Sequence, residues 1–182
     1  MTEFFTPKQK QLISDFKHDR LKRINILDGS VRSGKTWITC VLWGLWVATM
    51  PADKTYLMTA RTLTTLKRNC LEPMVQLFGA ENFQYSISSK QGRLFGRNIQ
   101  FEGANDAQAE AKIRGLTLQG AYVDEITLVP EDYFTMLLSR LSEKGAKLFG
   151  STNPDSPSHW LKRKYLDRAD ELSIYFDTYV ID

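Results

Sequence analysis

Two stretches of this chain carry residue types suited to phosphate chemistry. The first, Gly29-Ser30-Val31-Arg32-Ser33-Gly34-Lys35-Thr36, reads G-x-x-x-x-G-K-T, the phosphate-binding P-loop. Its glycines reach backbone conformations closed to other residues, so successive N–H groups can turn inward around an anion. Lys35 adds a point charge for the outer phosphates. The Thr36 hydroxyl suits Mg²⁺, which keeps most of its waters and takes few protein ligands. All eight loop residues are therefore candidate contacts for ATP with Mg²⁺. The second stretch is Asp124-Glu125, two carboxylates closing the apolar run Ala121-Tyr122-Val123. Asp124 is the candidate metal-side acid, and Glu125 is placed to polarise a water for in-line attack on a γ-phosphate. A dedicated water-activating glutamate favours hydrolysis, because a small-molecule kinase must keep water from ATP. The Asn-Lys-x-Asp of a guanine reader is absent from the sequence.

Further candidates surround these two. Ser151-Thr152-Asn153 presents three short polar groups where a γ-phosphate can be sensed and its loss relayed beyond Pro154. Phosphoryl transfer also gains from an arginine on the developing charge. Arg32 can supply it within the chain, and Arg114, in Lys112-Ile113-Arg114-Gly115, can reach a neighbouring subunit. Gln9, upstream of the loop, carries an amide able to read an adenine edge. His18 and His159 lack partner spacing and read as surface residues. Lys162-Arg163-Lys164 with Arg168 reads as a solvated helix face.

The elements that must position these groups follow from periodicity. Thr6-Pro7 starts a helix with Leu12, Ile13 and Phe16 on one face. Ile24, Ile26 and Leu27 make a strand before the loop, and an apolar helix from Trp37 to Met50 follows it. A second strand covers Lys54 to Thr59, and a helix from Thr62 is interrupted by Pro73. Such alternation implies parallel βαβ units. Tyr85-Ser86-Ile87-Ser88 and Asn98-Ile99-Gln100-Phe101 break it, reading as antiparallel strands at a sheet edge around the basic, solvated centre Lys90–Arg97. Then come the acidic strand, a helix opened by Pro130, a strand from Ala146 to Gly150, a helix from His159 to Arg168 capped by Ser158, and a last strand over Ser173–Val180. The fold expected is α/β, a three-layer arrangement around a mostly parallel sheet with antiparallel edge strands. Ligands of such sheets sit beyond the carboxyl ends of the strands, so Asp28, the P-loop, Asp124-Glu125 and Ser151–Asn153 should converge on one edge.

With 182 residues, the chain suits one domain, residues 1–182. A net charge of +3 permits nucleic-acid binding without demanding it. Two cysteines, Cys40 and Cys70, argue against a disulfide scaffold or zinc site. No signal-peptide pattern opens the chain, and the Trp37–Met50 run is too short to span a bilayer, which points to a reducing, cytoplasmic setting.

The ordered set Gly29–Thr36, then Ile113-Arg114-Gly115-Leu116-Thr117 leading into Ala121–Glu125, then Gly150-Ser151-Thr152-Asn153-Pro154, resembles the ATPase half of a tailed-bacteriophage large terminase, with the PBSX-like branch nearest. The resemblance covers nearly the whole chain. It implies an additional-strand, catalytic-glutamate P-loop ATPase that works in the host cytoplasm with a small terminase subunit and a portal protein to drive double-stranded DNA into a procapsid. By match, Lys35 and Thr36 hold phosphate and metal, Asp124 is the Walker B acid, Glu125 the catalytic base, Ser151-Thr152-Asn153 the coupling motif, Gln9 the adenine motif, and Arg114 an arginine acting in trans around a homo-oligomeric ring. Full-length members continue into an RNase H-like nuclease whose acids the sequence after its last strand does not supply, so ATPase activity without DNA cleavage is expected. Two rivals remain: another ATP-driven translocase such as a helicase core, and a nucleotide-dependent assembly module with little turnover.

Overall fold

The computed structural model describes residues 5–30, 33–153 and 155–179. Among the described residues, eight strands form one sheet in the order β3-β4-β5-β2-β6-β7-β1-β8. They are β1 (Ile24–Gly29), β2 (Thr55–Ala60), β3 (Phe83–Ser86), β4 (Gln91–Leu94), β5 (Arg97–Gly103), β6 (Gly120–Val123), β7 (Lys147–Thr152) and β8 (Ile174–Tyr179). Neighbours from β5 through to β8 pair in parallel, while β4 runs antiparallel to both β3 and β5. The expected mostly parallel sheet with an antiparallel edge is thus the observed one. The edge holds three strands rather than two: the chain turns at Ile87–Lys90, where Lys90 takes φ +54°, and enters β4.

The sheet has a core on each face, because side chains alternate along a strand. One core packs Leu27, Tyr56, Tyr122 and Phe149 under α1 (Pro7–Lys17), α2 (Lys35–Thr49), α3 (Leu63–Leu66) and α4 (Glu72–Phe78). The other packs Ile26, Leu57, Val123 and Leu148 under α5 (Ala109–Arg114), α6 (Glu131–Arg140) and α7 (Trp160–Lys164). Trp43 of α2, fully buried, stacks near Trp46, Tyr56, Tyr122 and Phe149 at 5.7–6.3 Å between ring centroids. Gly120 lets α2 come this close, since a Cβ there would overlap the Trp46 ring. This packing fixes α2, and with it the P-loop lysine, against the middle of the sheet.

Register sets the edge. Strand β7 lies between β1 and β6, with Asp28 opposite Thr152 and Val123 opposite Gly150. The loop strand and the acidic strand therefore end on either side of Ser151-Thr152.

Pro73 does not interrupt its helix. A π turn at Lys67–Leu71 joins α3 to α4, and Pro73 falls in the first turn of α4. The proline ring would press on the carbonyl four residues earlier, that of Asn69, and the widened turn accommodates it. Helix α7 is capped by His159 rather than by the exposed Ser158: His159 Nδ1 accepts from Leu161 N at 3.1 Å and its Nε2 donates to Thr127 O at 3.0 Å. The first of these bonds fixes the tautomer with the proton on Nε2. His159 is thus a tie between α7 and the turn after Glu125, not a surface residue.

Candidate active site

The P-loop residues Gly29, Ser30, Ser33, Gly34, Lys35 and Thr36 are described; Val31 and Arg32 lie outside the described residues. Gly34 takes φ +77°, a conformation that favours glycine, and caps α2. Lys35, the first residue of α2, is 5% exposed. Its Nζ donates to Ser30 O at 3.1 Å and to Asn153 Oδ1 at 2.5 Å. Burial lowers its pKa, opposed by the nearby charges of Glu125, Asp124 and Asp28. The Ser33 hydroxyl is buried with no hydrogen-bond partner among the described residues. Such an orphaned group marks a place where a ligand oxygen would be welcome.

Asp124 and Glu125 follow directly on β6 and have different surroundings. Asp124, 1% exposed, accepts from Asn69 Nδ2 at 3.0 Å on Oδ2 and from Ser151 Oγ at 2.9 Å on Oδ1. Burial raises its pKa; the bonds from Asn69 and Ser151 and the charges of Lys35 and Arg68 pull the other way. Glu125 has φ +50° and ψ +66°. A left-handed conformation for a glutamate costs on the order of 1–3 kcal/mol and persists only where the surroundings hold it. Here Glu125 N donates to Ser151 Oγ at 3.2 Å, and Oε1 accepts from Asn153 Nδ2 at 3.4 Å. Asn153 thus spans the site, one amide touching both the loop lysine and the glutamate.

Ser33, Gly34, Lys35, Thr36, Trp37, Asn69, Glu125 and Asn153 line one cavity of about 270 Å³. It gathers members of three predicted groups: the P-loop, the acidic pair and the polar triplet. Thr152 and Asp28 fall to a second cavity of about 150 Å³, which also has Asn153 and His159 on its wall. Burial raises the Asp28 pKa, and its Oδ1 accepts from Gly29 N at 2.9 Å.

Gln9 is buried beside the loop, its Nε2 lying 3.4 Å from where a Cβ of Gly34 would sit. Its Oε1 accepts from Thr6 N at 3.0 Å while Thr6 Oγ1 accepts from Gln9 N, a capping box that starts α1. Arg114 is not brought to the cavity. It lies on α5, in the layer opposite α2, paired with Glu110 at 2.9 Å and mostly exposed.

Sequence reasoning missed Asn69. A single asparagine inside a helical pattern gives no signal, and its aim depends on the π turn. The one available hint was Pro73, four residues on, which requires the helix to deform there. Trp37 was also missed as a site residue; it stacks on Phe5 at 5.7 Å and forms a wall of the cavity beside the loop.

Residues 22–182 match the sequence model of the phage terminase large subunit family. The chain belongs to that family. Among solved structures, the large terminase of a thermophilic bacteriophage superposes with a TM-score of 0.85 at 27% identity, over 96% of this chain and 45% of that one. The same terminase in complex with ATP-gamma-S matches with a TM-score of 0.82 at 26% identity, over 96% and 44%, and its ADP complex matches with 0.83 at 27%, over 96% and 45%. The ATPase domain of a Thermus phage large terminase shares the fold, with a TM-score of 0.56 at 16% identity over 74% of this chain and 61% of that domain. No curated protein sequence matches the chain. The chain spans less than half the length of the thermophilic-phage terminase. Among the described residues, no helix is long and apolar enough to cross a membrane.

Proposed function

We propose that this chain is the ATP-hydrolysing motor domain of a DNA-packaging terminase large subunit, with Glu125 as general base and Asn153 as the group that senses the γ-phosphate. The observation that carries the reading is the Lys35–Asn153–Glu125 bridge, in which one side chain contacts both the phosphate-binding lysine and the candidate base. ATP enters with its phosphates along the loop N–H groups, and Lys35 turns from Ser30 O and Asn153 to the outer phosphates. Asn153 is then released to the γ-phosphate, and Glu125 holds the attacking water and takes its proton. After the γ-phosphate leaves, Asn153 can return to Lys35, and its movement passes to the chain leading into α7. The complexes of the thermophilic-phage terminase with ATP-gamma-S and ADP support nucleotide as the ligand.

The donor set suits Mg²⁺. The Thr36 hydroxyl and the Asp124 carboxylate are hard oxygen donors, and no cluster of three or more His, Cys, Asp or Glu among the described residues forms a self-sufficient cage. That is the ligand economy of an ion that keeps its waters and leans on substrate phosphates. Thr36 and Asp124 would hold it, Asp124 directly or through those waters. When bound, Mg²⁺ neutralises charge developing on the phosphates.

The arginine for the developing charge comes either from Arg32 in the loop or from Arg114 of a neighbouring copy in a ring. An exposed Arg114 outside its own chain's cavity fits the second arrangement. The partners of this function are double-stranded DNA, a portal protein and a small terminase subunit, in the host cytoplasm. ATP turnover of the purified chain against protein concentration, with Glu125→Ala and Arg114→Ala alongside, tests the reading. Turnover rising more than linearly and lost in both variants is the result expected of a site completed in trans. Linear turnover indifferent to Arg114 shifts the arginine role to Arg32, and turnover unaffected by Glu125→Ala refutes the assignment of the base.

A further inference from the structure

Arg61 and Arg68 stand exposed on the segment that leaves β2 and runs through α3 into the π turn, with exposed Thr62, Thr64 and Lys67 between them. This segment emerges from the carboxyl end of β2, next to β6 and hence next to Asp124. Elsewhere several exposed cations are matched by acids, although the exposed Arg93 and Arg163 meet none among the described residues. Lys162 pairs with Asp167, Lys164 with Glu131, Arg168 with Glu171, Lys112 with Asp106 and Arg114 with Glu110. Lys67 meets Glu72 at 3.6 Å, but neither Arg61 nor Arg68 meets a carboxylate among the described residues. Two exposed guanidiniums on one short segment, neither in an ion pair among the described residues and with exposed hydroxyls between them, are suited to a phosphate oxyanion.

Arg68 also faces inward. Its Nε donates to Asn69 Oδ1 at 3.2 Å, and Asn69 Nδ2 donates to Asp124 Oδ2 at 3.0 Å. A surface guanidinium is therefore two hydrogen bonds from the candidate metal-side carboxylate. The π turn makes this possible by placing Asn69 on the cavity wall while Arg68, its neighbour, stays outside.

We propose that Arg61 and Arg68 receive a backbone phosphate of duplex nucleic acid, and that this contact is read at Asp124 through Asn69. The proposal rests on the ATP-driven function above and adds to it the surface through which DNA acts on the site. A phosphate drawing the Arg68 guanidinium outward loosens its bond to Asn69. The amide can then turn, and Asp124 loses one of the two donors that aim it. Asn69 is in this sense a positioning residue. By linkage, a duplex that changes how Asp124 is held changes the affinity for metal-nucleotide, and metal-nucleotide changes the affinity for duplex by the same factor.

The test follows binding rather than turnover. Anisotropy of a short blunt DNA duplex is measured against salt for the parent chain, Arg61→Ala, Arg68→Ala and Asn69→Ala. The Mg²⁺ midpoint for binding a fluorescent ATP analogue is measured with and without the duplex. Each arginine variant should bind the duplex several-fold more weakly, with a salt slope shallower by about 1. Asn69→Ala should keep the parent's duplex affinity and lose the several-fold, duplex-induced shift of the Mg²⁺ midpoint, a split that a merely structural role would not produce. The proposal is overturned if the parent does not bind the duplex, if both arginine variants keep its salt slope, or if Asn69→Ala keeps the shift. It is overturned too if Arg61→Ala, which lies outside the relay through Asn69, weakens analogue binding with no duplex present, because the phosphate met there would then be the nucleotide's own. Each of these outcomes leaves the ATP turnover of the parent untouched, whereas a parent without turnover that depends on Glu125 counts against the function itself.

Discussion

The two ends of the sheet bury polar side chains in different ways. At the amino ends of the strands, polar groups bond mostly to backbone. Asn25 Nδ2 donates to Lys22 O and Leu148 O while its Oδ1 accepts from Lys22 N. Gln119 Nε2 donates to Lys144 O, Lys147 Nζ to Leu21 O and Lys22 O, and Arg23 to Leu138 O and Leu141 O. Each such bond tethers a loop to the end of a strand. At the carboxyl ends the polar groups bond mostly to one another: Lys35 to Asn153, Asn153 to Glu125, Ser151 and Asn69 to Asp124. That end also has the left-handed Glu125, the orphaned Ser33 hydroxyl, and a lysine and an aspartate whose pKa values are both displaced against their charged forms by burial. Backbone-bonded polar groups add to folding. A network of charges bonded to each other at a cavity detracts from folding and is arranged for something that enters. Substitutions at the two ends should therefore separate stability from activity.

Lys35→Ala is the largest expected break. Truncating one charge of a desolvated set costs about 2–5 kcal/mol of nucleotide binding, with the melting temperature held or raised; titration with a fluorescent ATP analogue beside a thermal melt measures both. At the opposite end, Asn25→Ala leaves buried backbone groups without partners and should lower stability by about 1–3 kcal/mol, with turnover per folded molecule unchanged. Denaturant unfolding checks it, and lost turnover in a folded Asn25→Ala chain would blur the distinction between the ends.

Asp124 gives a pH test of the same contrast. Its folded-state pKa is raised above the ordinary value of 3.8 by burial. The stability it contributes is thus complete below the unfolded-state value and lost as pH rises through the folded-state value. Asp124→Asn escapes that loss and should be more stable than the parent at neutral pH by on the order of 1 kcal/mol. The gap should close as pH falls into the carboxylate range; melts across a pH series show it. The smallest effect is expected away from both ends. Lys164→Ala removes an exposed pair with Glu131 and should leave the melting temperature and turnover where they were, as exposed pairs contribute little.

The contrast also marks what the sequence could disclose. Alternation of apolar strands and helices predicted the parallel sheet, and residue type with spacing picked out Lys35, Glu125 and Asn153, which line one cavity, and Asp124, which bonds to Asn69 on its wall. These signals are local, one motif at the end of one strand. Asn69 and the tie made by His159 were not legible, because each depends on a partner distant in sequence: Asp124 for one, the carbonyl of Thr127 for the other. The third strand of the antiparallel edge was missed for a related reason. Arg93 and Gly92 read as a basic turn until their pairing with Gln84 and Tyr85 makes them strand. Gln9 shows the converse, a local capping box hidden behind a functional expectation.

In the function proposed above, the carboxyl edge of this sheet is arranged for ATP hydrolysis with Glu125 as base. Glu125→Gln, which keeps size and hydrogen bonding but cannot take a proton, tests it most directly when single-turnover ATP cleavage and affinity for the ATP analogue are measured on the same preparation. Cleavage should slow by about 10²–10⁴-fold with analogue affinity and melting temperature unchanged. Cleavage at the parent's rate by Glu125→Gln would contradict it.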